Sequence, residues 1–167
     1  LSLGHRRIAY LGLRNQAAGR YRGFQGAIAA AEGRADGREI FVDQLTHLDG
    51  VAALRRLISD GDLPDAIFAA NDAVALGVLQ AAGQEGISIP RDLAVVGFDD
   101  VAMAAHAAPP LTTVAQPTAE MGAAAIEMAL SRLRSGDLPP REAVLAARLV
   151  VRESSTAAGP ATRKEQR

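Results

Sequence analysis

Cysteine is absent from the 167-residue sequence, and lysine occurs once, at Lys164. Without cysteine the chain forms no disulfide framework and no thiolate metal site, which fits a reducing cytoplasm. Because the only lysine lies near the C-terminus, the core offers neither a P-loop lysine nor a Schiff-base nucleophile. A G-x-S-x-G serine motif is also missing. We therefore predict no catalytic residues and no enzyme activity.

Charge excess and long apolar runs are missing as well. The formal net charge is -1, so the chain has no positive surplus to neutralise phosphates and is by itself a poor candidate for binding nucleic acid. No apolar stretch approaches the roughly 18 residues of a membrane span, so we predict no membrane contact. His5, His47 and His106 are scattered without metal-ligand spacing, and we predict no metal site and no cofactor. The start, "LSLGHRRIAYL", has no Met and is typical of a helix tail followed by a strand, so we expect a piece of a longer protein.

Short β-favouring runs alternate with helical patterns over the first hundred residues. Strands are predicted at 7–13, 39–43, 66–70 and 93–98, and helices at 18–32, 47–60 and 72–84. This alternation implies right-handed βαβ crossovers and a mostly parallel sheet. The runs "AIFAA" and "LAVVGF" are continuously apolar, as expected when helices cover both faces of a sheet. The predicted fold is an α/β, three-layer α/β/α domain.

The last third of the chain is less regular. An irregular stretch at 99–117 is followed by a predicted helix from Thr118 to Arg134 and a predicted strand from Glu142 to Val151. The remaining residues are small and polar, so we expect an ordered domain over 1–152 and a disordered tail over 153–167.

Polar side chains follow each predicted strand, at the edge of the sheet where open parallel sheets bind ligands. They are Arg14, Asn15 and Arg20 after the first strand, Gln44 (with Leu45) after the second, Asn71 and Asp72 after the third, and Asp99 and Asp100 after the fourth. This mixture of donors and acceptors suits a neutral ligand rich in hydroxyl groups, such as a sugar.

Structural roles are the alternative for the same side chains. Asn71 and Asp72 could cap a helix and complement its dipole, and Arg20 could be a solvated arginine. One of Asp99 and Asp100 could form a turn or cap a short helix over 101–106. In an extended segment these neighbours would point to opposite sides, which is poor for paired acid and base catalysis.

Four segments together resemble the bacterial LacI/GalR repressors. They are "GHRRIAYLG", "GRYRGFQGAI", "PDAIFAANDAVALGVLQAAGQEGISIPRDLAVVGFDD" and "PPLTTVAQP". They occur in that family's order and approximate spacing, from Gly4 to about Ser154. Each segment alone is a weak signal, whereas the combination is specific.

The resemblance implies a periplasmic-binding-protein-like fold of two α/β lobes, with an effector bound in the cleft between them. It also implies an N-terminal helix-turn-helix that binds an operator as a dimer. This chain matches mainly the C-terminal lobe, so any DNA contact would run through a helix-turn-helix absent from it. The helix over 118–135 would belong to the N-terminal lobe, with crossovers near 113–117 and near Glu142.

The resemblance also assigns ligand-binding positions. Arg20, Asn71 and Asp99 match polar effector contacts, and Gln116 lies at a crossover close to the cleft. With this match we predict that Asp99 binds hydroxyl groups and that Asp100 begins the following turn. Asp72 is included as a neighbour of Asn71. Leu45 stands where several relatives carry an aromatic residue that stacks on the ligand. The resemblance implies two partners. One is a small-molecule effector of the carbohydrate class, and the other is a second copy of the chain.

The homodimer surface is expected at Val101–Ala108 and at the helices near His47 and Asn71, and a packed loop is the alternative for 101–108. Three functions compete: the effector-sensing and dimerisation part of a cytoplasmic transcriptional regulator, a fragment of an exported transport-type sugar-binding protein, and a small flavodoxin-like enzyme. The sequence upstream of Leu1 would separate them, because a helix-turn-helix selects the first and a signal peptide the second. A bound flavin or nucleotide would select the third.

Overall fold

The computed structural model describes residues 3–14, 17–136 and 139–156. Its strands are β1 (Arg7–Gly12), β2 (Asp36–Phe41), β3 (Ala66–Ala69), β4 (Ala94–Val96), β5 (Thr113–Ala115) and β6 (Arg148–Val150). Its α-helices are α1 (Arg22–Ala29), α2 (His47–Ser59), α3 (Asp72–Gln84), α4 (Ala102–His106) and α5 (Thr118–Ser135). A π-helical turn, Ala17–Tyr21, leads into α1, and a 3-10 turn, Glu153–Ser155, follows β6.

The main sheet has four parallel strands in the order β2-β1-β3-β4. Strands β5 and β6 form a separate antiparallel pair. Isolated β-bridges pair Val96 with Thr112 and Asp99 with Ala115. They place β5 and the residue before it next to β4 and the residues that follow it. The predicted α/β class and the mostly parallel sheet are therefore confirmed.

Several predicted boundaries differ from the observed ones. Strand β2 begins at Asp36 rather than Glu39, because it pairs along the whole length of β1 and its exposed edge needs no apolar pattern. Strand β6 covers only 148–150 of the predicted 142–151, since its partner β5 has three residues. Strand β5 itself was missed within the stretch interpreted as irregular.

The predicted tail begins too early. Ser154 is fully buried, its hydroxyl donates to the Val95 carbonyl at 2.6 Å, and it accepts from the Thr112 backbone N–H at 2.8 Å. Small polar residues can thus be ordered by bonding to strand backbone rather than by apolar contact. The ordered domain extends past residue 152, and 157–167 lie outside the described residues.

Helices α2 and α3 cover one face of the sheet. Leu54 and Leu57 of α2 and Val74 and Val78 of α3 are buried against Ile67 of β3. Thr46 is the N-cap of α2 and forms a capping box with Asp49.

The two helices cross closely at Gly50 and Gly77. A Cβ added to Gly77 would lie 2.0 Å from the His47 carbonyl oxygen, and one added to Gly50 would lie 2.1 Å from the Val74 carbonyl oxygen. Both glycines are therefore required by space, not by backbone freedom. This contact fixes the position of the α3 N-terminus, which carries Asn71 and Asp72.

Among the described residues, α1 packs against the opposite face through Phe24, whose ring centroid lies 5.7 Å from that of Tyr10. Helix α5 contributes no buried residue among its described side chains. It exposes four large apolar side chains: Met121, Ile126, Leu130 and Leu133. Within the described ranges no helix is both long and apolar enough to cross a membrane.

Candidate functional site

The Arg20 side chain contacts residues at the carboxyl ends of both β3 and β4. It stands in the π-helical turn before α1, and its Nη1 donates to the Ala70 carbonyl at 2.8 Å. Its Cζ lies 4.2 Å from the centroid of the Phe98 ring, and its Nη2 lies 3.9 Å from Oδ1 of Asp99. The side chain is 30 % exposed, so the guanidinium is oriented by the protein and still open to a ligand.

Asp99 and Asp100 adopt consecutive left-handed backbone conformations, with φ of 123° and 57°. Such conformations cost non-glycine residues about 1–3 kcal/mol each and persist only where neighbours hold them. Here the Asp99 N–H donates to the Val114 carbonyl at 3.0 Å and the Asp100 N–H donates to the Thr113 hydroxyl at 3.4 Å. The turn sends the two carboxylates to different partners.

The Asp99 carboxylate lies at the carboxyl edge of the main sheet. Its Oδ1 accepts from Nε2 of Gln116 at 2.6 Å, and its side chain is 31 % exposed. Burial raises the pKa of Asp99 and nearby Asp72 adds to that rise, against the opposing effects of the Gln116 hydrogen bond and the Arg20 charge. A partly desolvated carboxylate of this kind gains from further donors, such as ligand hydroxyls.

Asn71 caps α3. Its Oδ1 accepts from the Val74 N–H at 3.0 Å, and its Nδ2 donates to the Leu45 carbonyl at 3.1 Å. An amide side chain has two donors and two lone pairs, so one of each remains beyond these bonds. The capping role weighed from the sequence is confirmed, and the Leu45 side chain packs against both apolar clusters.

Asp72 does not reach the edge. It is fully buried, Oδ1 accepts from the Thr113 hydroxyl at 2.6 Å, and Oδ2 accepts from the Val101 N–H at 2.9 Å. A Cβ added to Gly97 would lie 2.2 Å from Asp72 Oδ1. This placement does not support the predicted ligand contact, because both oxygens already bind the loop after β4 and strand β5. Asp72 positions the segment that carries Asp99.

Asp100 does not cap α4: the N-cap residue is Val101, and no side-chain hydrogen bond caps this helix. Asp100 Oδ1 accepts from Nη2 of Arg152 at 2.7 Å, and Arg152 Nη1 donates to the Leu111 carbonyl at 2.8 Å. The Thr112 hydroxyl completes the cluster by bonding the backbone of Arg152. Sequence reasoning missed Arg152, since it lies 52 positions from Asp100 and carries no local motif.

A depression of about 500 Å³ extends the edge past β1 and β2, lined by Leu13, Arg14, Phe41, Val42 and Asp43. Arg14 Cζ lies 4.5 Å from the Phe41 ring centroid. Phe41 and Phe98 thus bring aromatic rings to this edge of the sheet, in addition to the aliphatic side chain of Leu45. Asn15 lies outside the described residues, and Gln44 is exposed.

The family model described as "Periplasmic binding protein-like domain" matches residues 1–155. The Ribose operon repressor of Haemophilus influenzae is 32 % identical over 92 % of this chain and 47 % of its own length. The HTH-type transcriptional regulator CelR of Thermobifida fusca is 38 % identical over 92 % of this chain and 46 % of its own length. The chain spans about half the length of the curated relatives it matches.

Solved structures of transcriptional regulators are also similar to this chain. A LacI-family regulator from Sanguibacter keddieii superposes with a TM-score of 0.86 at 35 % identity, over 93 % of this chain and 60 % of that one. A CelR–cellobiose complex gives 0.81 at 36 % identity, over 92 % and 48 %. A LacI-family regulator from Enterococcus faecium with bound ribose gives 0.83 at 27 % identity, over 96 % and 59 %.

These relatives are transcriptional regulators, so the alternative of a transport-type sugar-binding protein is not supported. The match covers the four-stranded main sheet with the carboxyl ends of its strands, and also the segment of β5, α5 and β6. This chain belongs to the periplasmic binding protein-like domain family, and the relatives that it matches are LacI-family and HTH-type transcriptional regulators.

Proposed function

We propose that this chain senses a carbohydrate effector and forms the dimer of a LacI-type regulator, whose operator affinity shifts on effector binding. The observation that carries the proposal is the convergence of Arg20 and Asp99 at the carboxyl edge of the sheet. The guanidinium supplies donors and the carboxylate supplies acceptors, as a polyhydroxylated ligand requires. The relatives crystallised with cellobiose and with ribose support the ligand class.

Four side chains are proposed as effector contacts: Arg20, Asn71, Asp99 and Gln116. Arg20 and Asp99 would grip hydroxyls, and Asn71 would add the donor and acceptor left over from capping. Leu45 would contribute an apolar surface rather than a stacking ring. Asp72 would act as a positioning residue, through its bonds to Val101 and Thr113.

The proposed allosteric route begins at the Asp99–Gln116 hydrogen bond. Gln116 directly follows β5, where the chain passes from the β5–β6 pair to α5. An effector that bonds Asp99 competes with or reorients Gln116, and so acts on the strand that leads to α5. Because an effector shifts an equilibrium only by binding the two arrangements differently, this contact has to differ between them.

Helix α5 is proposed to belong to the other lobe. Its apolar side chains Met121, Ile126, Leu130 and Leu133 are exposed, which is costly for a helix that stays alone in water. Packing into a second lobe would bury them. The lobe would supply the remaining wall of the effector cleft.

Homodimer formation is proposed through the region after β4. Val101 and Met103 are 41 % and 64 % exposed, and Leu48 at the start of α2 is 76 % exposed. Apolar residues of this size are expected to be covered in the assembled regulator. DNA binding would lie in an N-terminal helix-turn-helix outside this chain, the protein would act in the cytoplasm, and it would have no enzyme activity.

The full-length protein tests this function. Calorimetric titration with a panel of neutral mono- and disaccharides should give at least one tight ligand, and that sugar should change the affinity for DNA from the protein's own upstream region in an anisotropy assay. An Asp99→Asn variant should lose the sugar response and keep DNA binding. Sugar binding without any change in DNA affinity would argue against the regulatory function.

A further inference from the structure

Tyr10 brings a buried hydroxyl group to the carboxyl edge of the main sheet. The residue is only 1 % exposed. Residues i and i+2 of a strand point to the same face, so Tyr10 and Gly12 of β1 share a face. The phenolic oxygen reaches the end of the strand, because a Cβ added to Gly12 would lie 2.7 Å from it and 2.7 Å from the Cβ of Ala70. The hydroxyl therefore lies where β1 ends and where β3 has just ended.

Three aromatic rings hold the Tyr10 ring in this orientation. Its centroid lies 5.3 Å from that of Tyr21, 5.7 Å from that of Phe24 and 5.8 Å from that of Phe68. Rings at such distances that are inclined to one another form favourable aromatic pairs. These contacts fix the direction in which the hydroxyl points, and they do not use its hydrogen-bonding capacity.

The Tyr10 hydroxyl forms no hydrogen bond with any residue that the structure describes. Burial raises the pKa of Tyr10, and the positive charge of Arg20 opposes that rise. Buried tyrosine hydroxyls usually have a hydrogen-bond partner. Tyr21 is the contrasting case, since its hydroxyl accepts from Nε2 of Gln25 at 2.8 Å and donates to Glu39. The Tyr10 hydroxyl is therefore a polar group that still has its hydrogen-bonding capacity available.

The position of this hydroxyl places it beside the candidate effector site. Gly12 has no side chain and Ala70 has a single methyl group, so neither of them covers the hydroxyl. Arg20, whose charge acts on Tyr10, donates to the Ala70 carbonyl at 2.8 Å and lies 3.9 Å from Asp99. Because the strand order is β1-β3-β4, Tyr10, Arg20 and Asp99 follow one another along the same edge of the sheet.

We propose that the Tyr10 hydroxyl is a further recognition group of this site and binds one hydroxyl group of the carbohydrate effector. The inference rests on the proposed function and adds a contact in the floor of the site. A sugar hydroxyl accepts and donates hydrogen bonds, so its oxygen can accept from Tyr10 while its proton is donated to another acceptor. Since the ring is fixed, the site favours a sugar that carries a hydroxyl at this depth over an analogue that lacks it.

A Tyr10→Phe variant of the full-length protein removes the hydroxyl and keeps the ring. Calorimetric titration with cellobiose, ribose and the other neutral sugars of the panel should show the affinity for the tightest-binding sugar reduced about fivefold to tenfold, as expected for one neutral hydrogen bond. The Tm should not fall, because the described residues lose no hydrogen bond. Tyr21→Phe is the matched control and should change the affinity by less than about twofold, since its hydroxyl already binds Gln25 and Glu39.

Monodeoxy analogues of the tightest-binding sugar identify the bonded group. One analogue, which lacks the hydroxyl that Tyr10 binds, should have the same affinity for the wild-type protein and for Tyr10→Phe. The other analogues should keep the full difference between the two proteins, since nonadditivity is confined to groups in direct contact. A difference that persists for every analogue would contradict a bond between Tyr10 and a sugar hydroxyl.

The same titrations separate this inference from the proposed function. If a sugar binds the wild-type protein, loses affinity in Asp99→Asn and binds Tyr10→Phe as tightly as wild type, the inference is overturned and the proposed function stands. If no sugar of the panel binds the wild-type protein, both are overturned.

Discussion

The Asp100 carboxylate accepts a hydrogen bond from Arg152 at 2.7 Å. This pair joins the loop after β4 to the residue that follows the segment of β5, α5 and β6. Asp99, its neighbour in sequence, faces Arg20 and Gln116 instead. Two adjacent carboxylates thus serve two parts of the molecule. Asp99 lies at the carboxyl edge of the sheet, where the effector site is proposed, and Asp100 binds Arg152, which follows β6.

Removing the Arg152 side chain should destabilise the protein. Arg152→Met leaves Asp100 and the Leu111 carbonyl without their donor in a partly buried site, at a cost of about 1–3 kcal/mol in the free energy of unfolding. Denaturant unfolding measures it. Arg56→Met is the control, since the Arg56–Asp60 pair is exposed and 3.7 Å apart, and should change stability by less than about 0.5 kcal/mol. Equal losses would argue against the anchoring role.

Neutralising the two adjacent carboxylates should separate binding from stability. In the full-length protein, Asp99→Asn should weaken effector affinity about tenfold or more, the loss of a charge-assisted hydrogen bond, with little change in Tm. Asp100→Asn should lower the Tm and leave affinity nearly unchanged in folded protein. Calorimetry and thermal melting on the same samples make the comparison. The reverse result would exchange the two roles.

The 167-residue chain alone should bind the effector weakly or not at all. In the proposed two-lobe arrangement the chain carries one wall of the effector cleft, so it would lack the contacts from the other lobe and their contribution to affinity. Calorimetric titration of the chain and of the full-length protein with the same sugar measures the difference. Tight binding by the chain alone would mean that the edge formed by Arg20 and Asp99 is a complete site.

Gly77 should be intolerant of a methyl group. Gly77→Ala places a Cβ 2.0 Å from the His47 carbonyl oxygen, so α2 and α3 must separate, with a loss of about 2 kcal/mol or more. Gly83→Ala in the same helix meets no atom within 4 Å and should stabilise by about 0.5–1 kcal/mol through helix propensity. Chemical denaturation of both variants checks the contrast, and two similar changes would contradict it.

Asp65 should make stability depend on pH. Burial raises its pKa, but the Arg6 and Arg7 backbone N–H groups and the Arg7 charge outweigh burial, so the pKa of Asp65 is lowered from 3.8. A lowered pKa contributes stability that is present above 3.8 and is lost as pH falls through the folded-state value. Asp65→Asn should therefore destabilise at pH 7 and have little effect in strong acid.

Asp36→Asn is the control for that experiment, because Asp36 is exposed at the start of β2. It should change the free energy of unfolding by less than about 0.5 kcal/mol across the same pH range. If Asp65→Asn were as mild as this control at pH 7, the backbone hydrogen bonds would not be the source of the shift.

Local patterns were enough for β3, β4, the starts of α2 and α3, and the edge of the sheet that carries polar residues. Continuous apolar runs mark β3 and β4, Thr46 marks the start of α2, and Asn71 marks the start of α3. These features depend on residues within one or two turns of one another, which a sequence displays directly. The placement of Arg20 and Asp99 beside each other follows from the parallel order of the strands.

Tertiary structure alone decided what each polar side chain does. Asp72 sits among the predicted contacts by sequence, yet its oxygens bind Val101 and Thr113, 29 and 41 positions away. Asp100 depends on Arg152, 52 positions away. The sequence by itself determined the α/β class, the family and the edge that carries the polar residues, because these rest on local periodicity and motif order. The division between Asp99 and Asp100 required the fold, because the partner that a carboxylate meets is set by packing between distant segments.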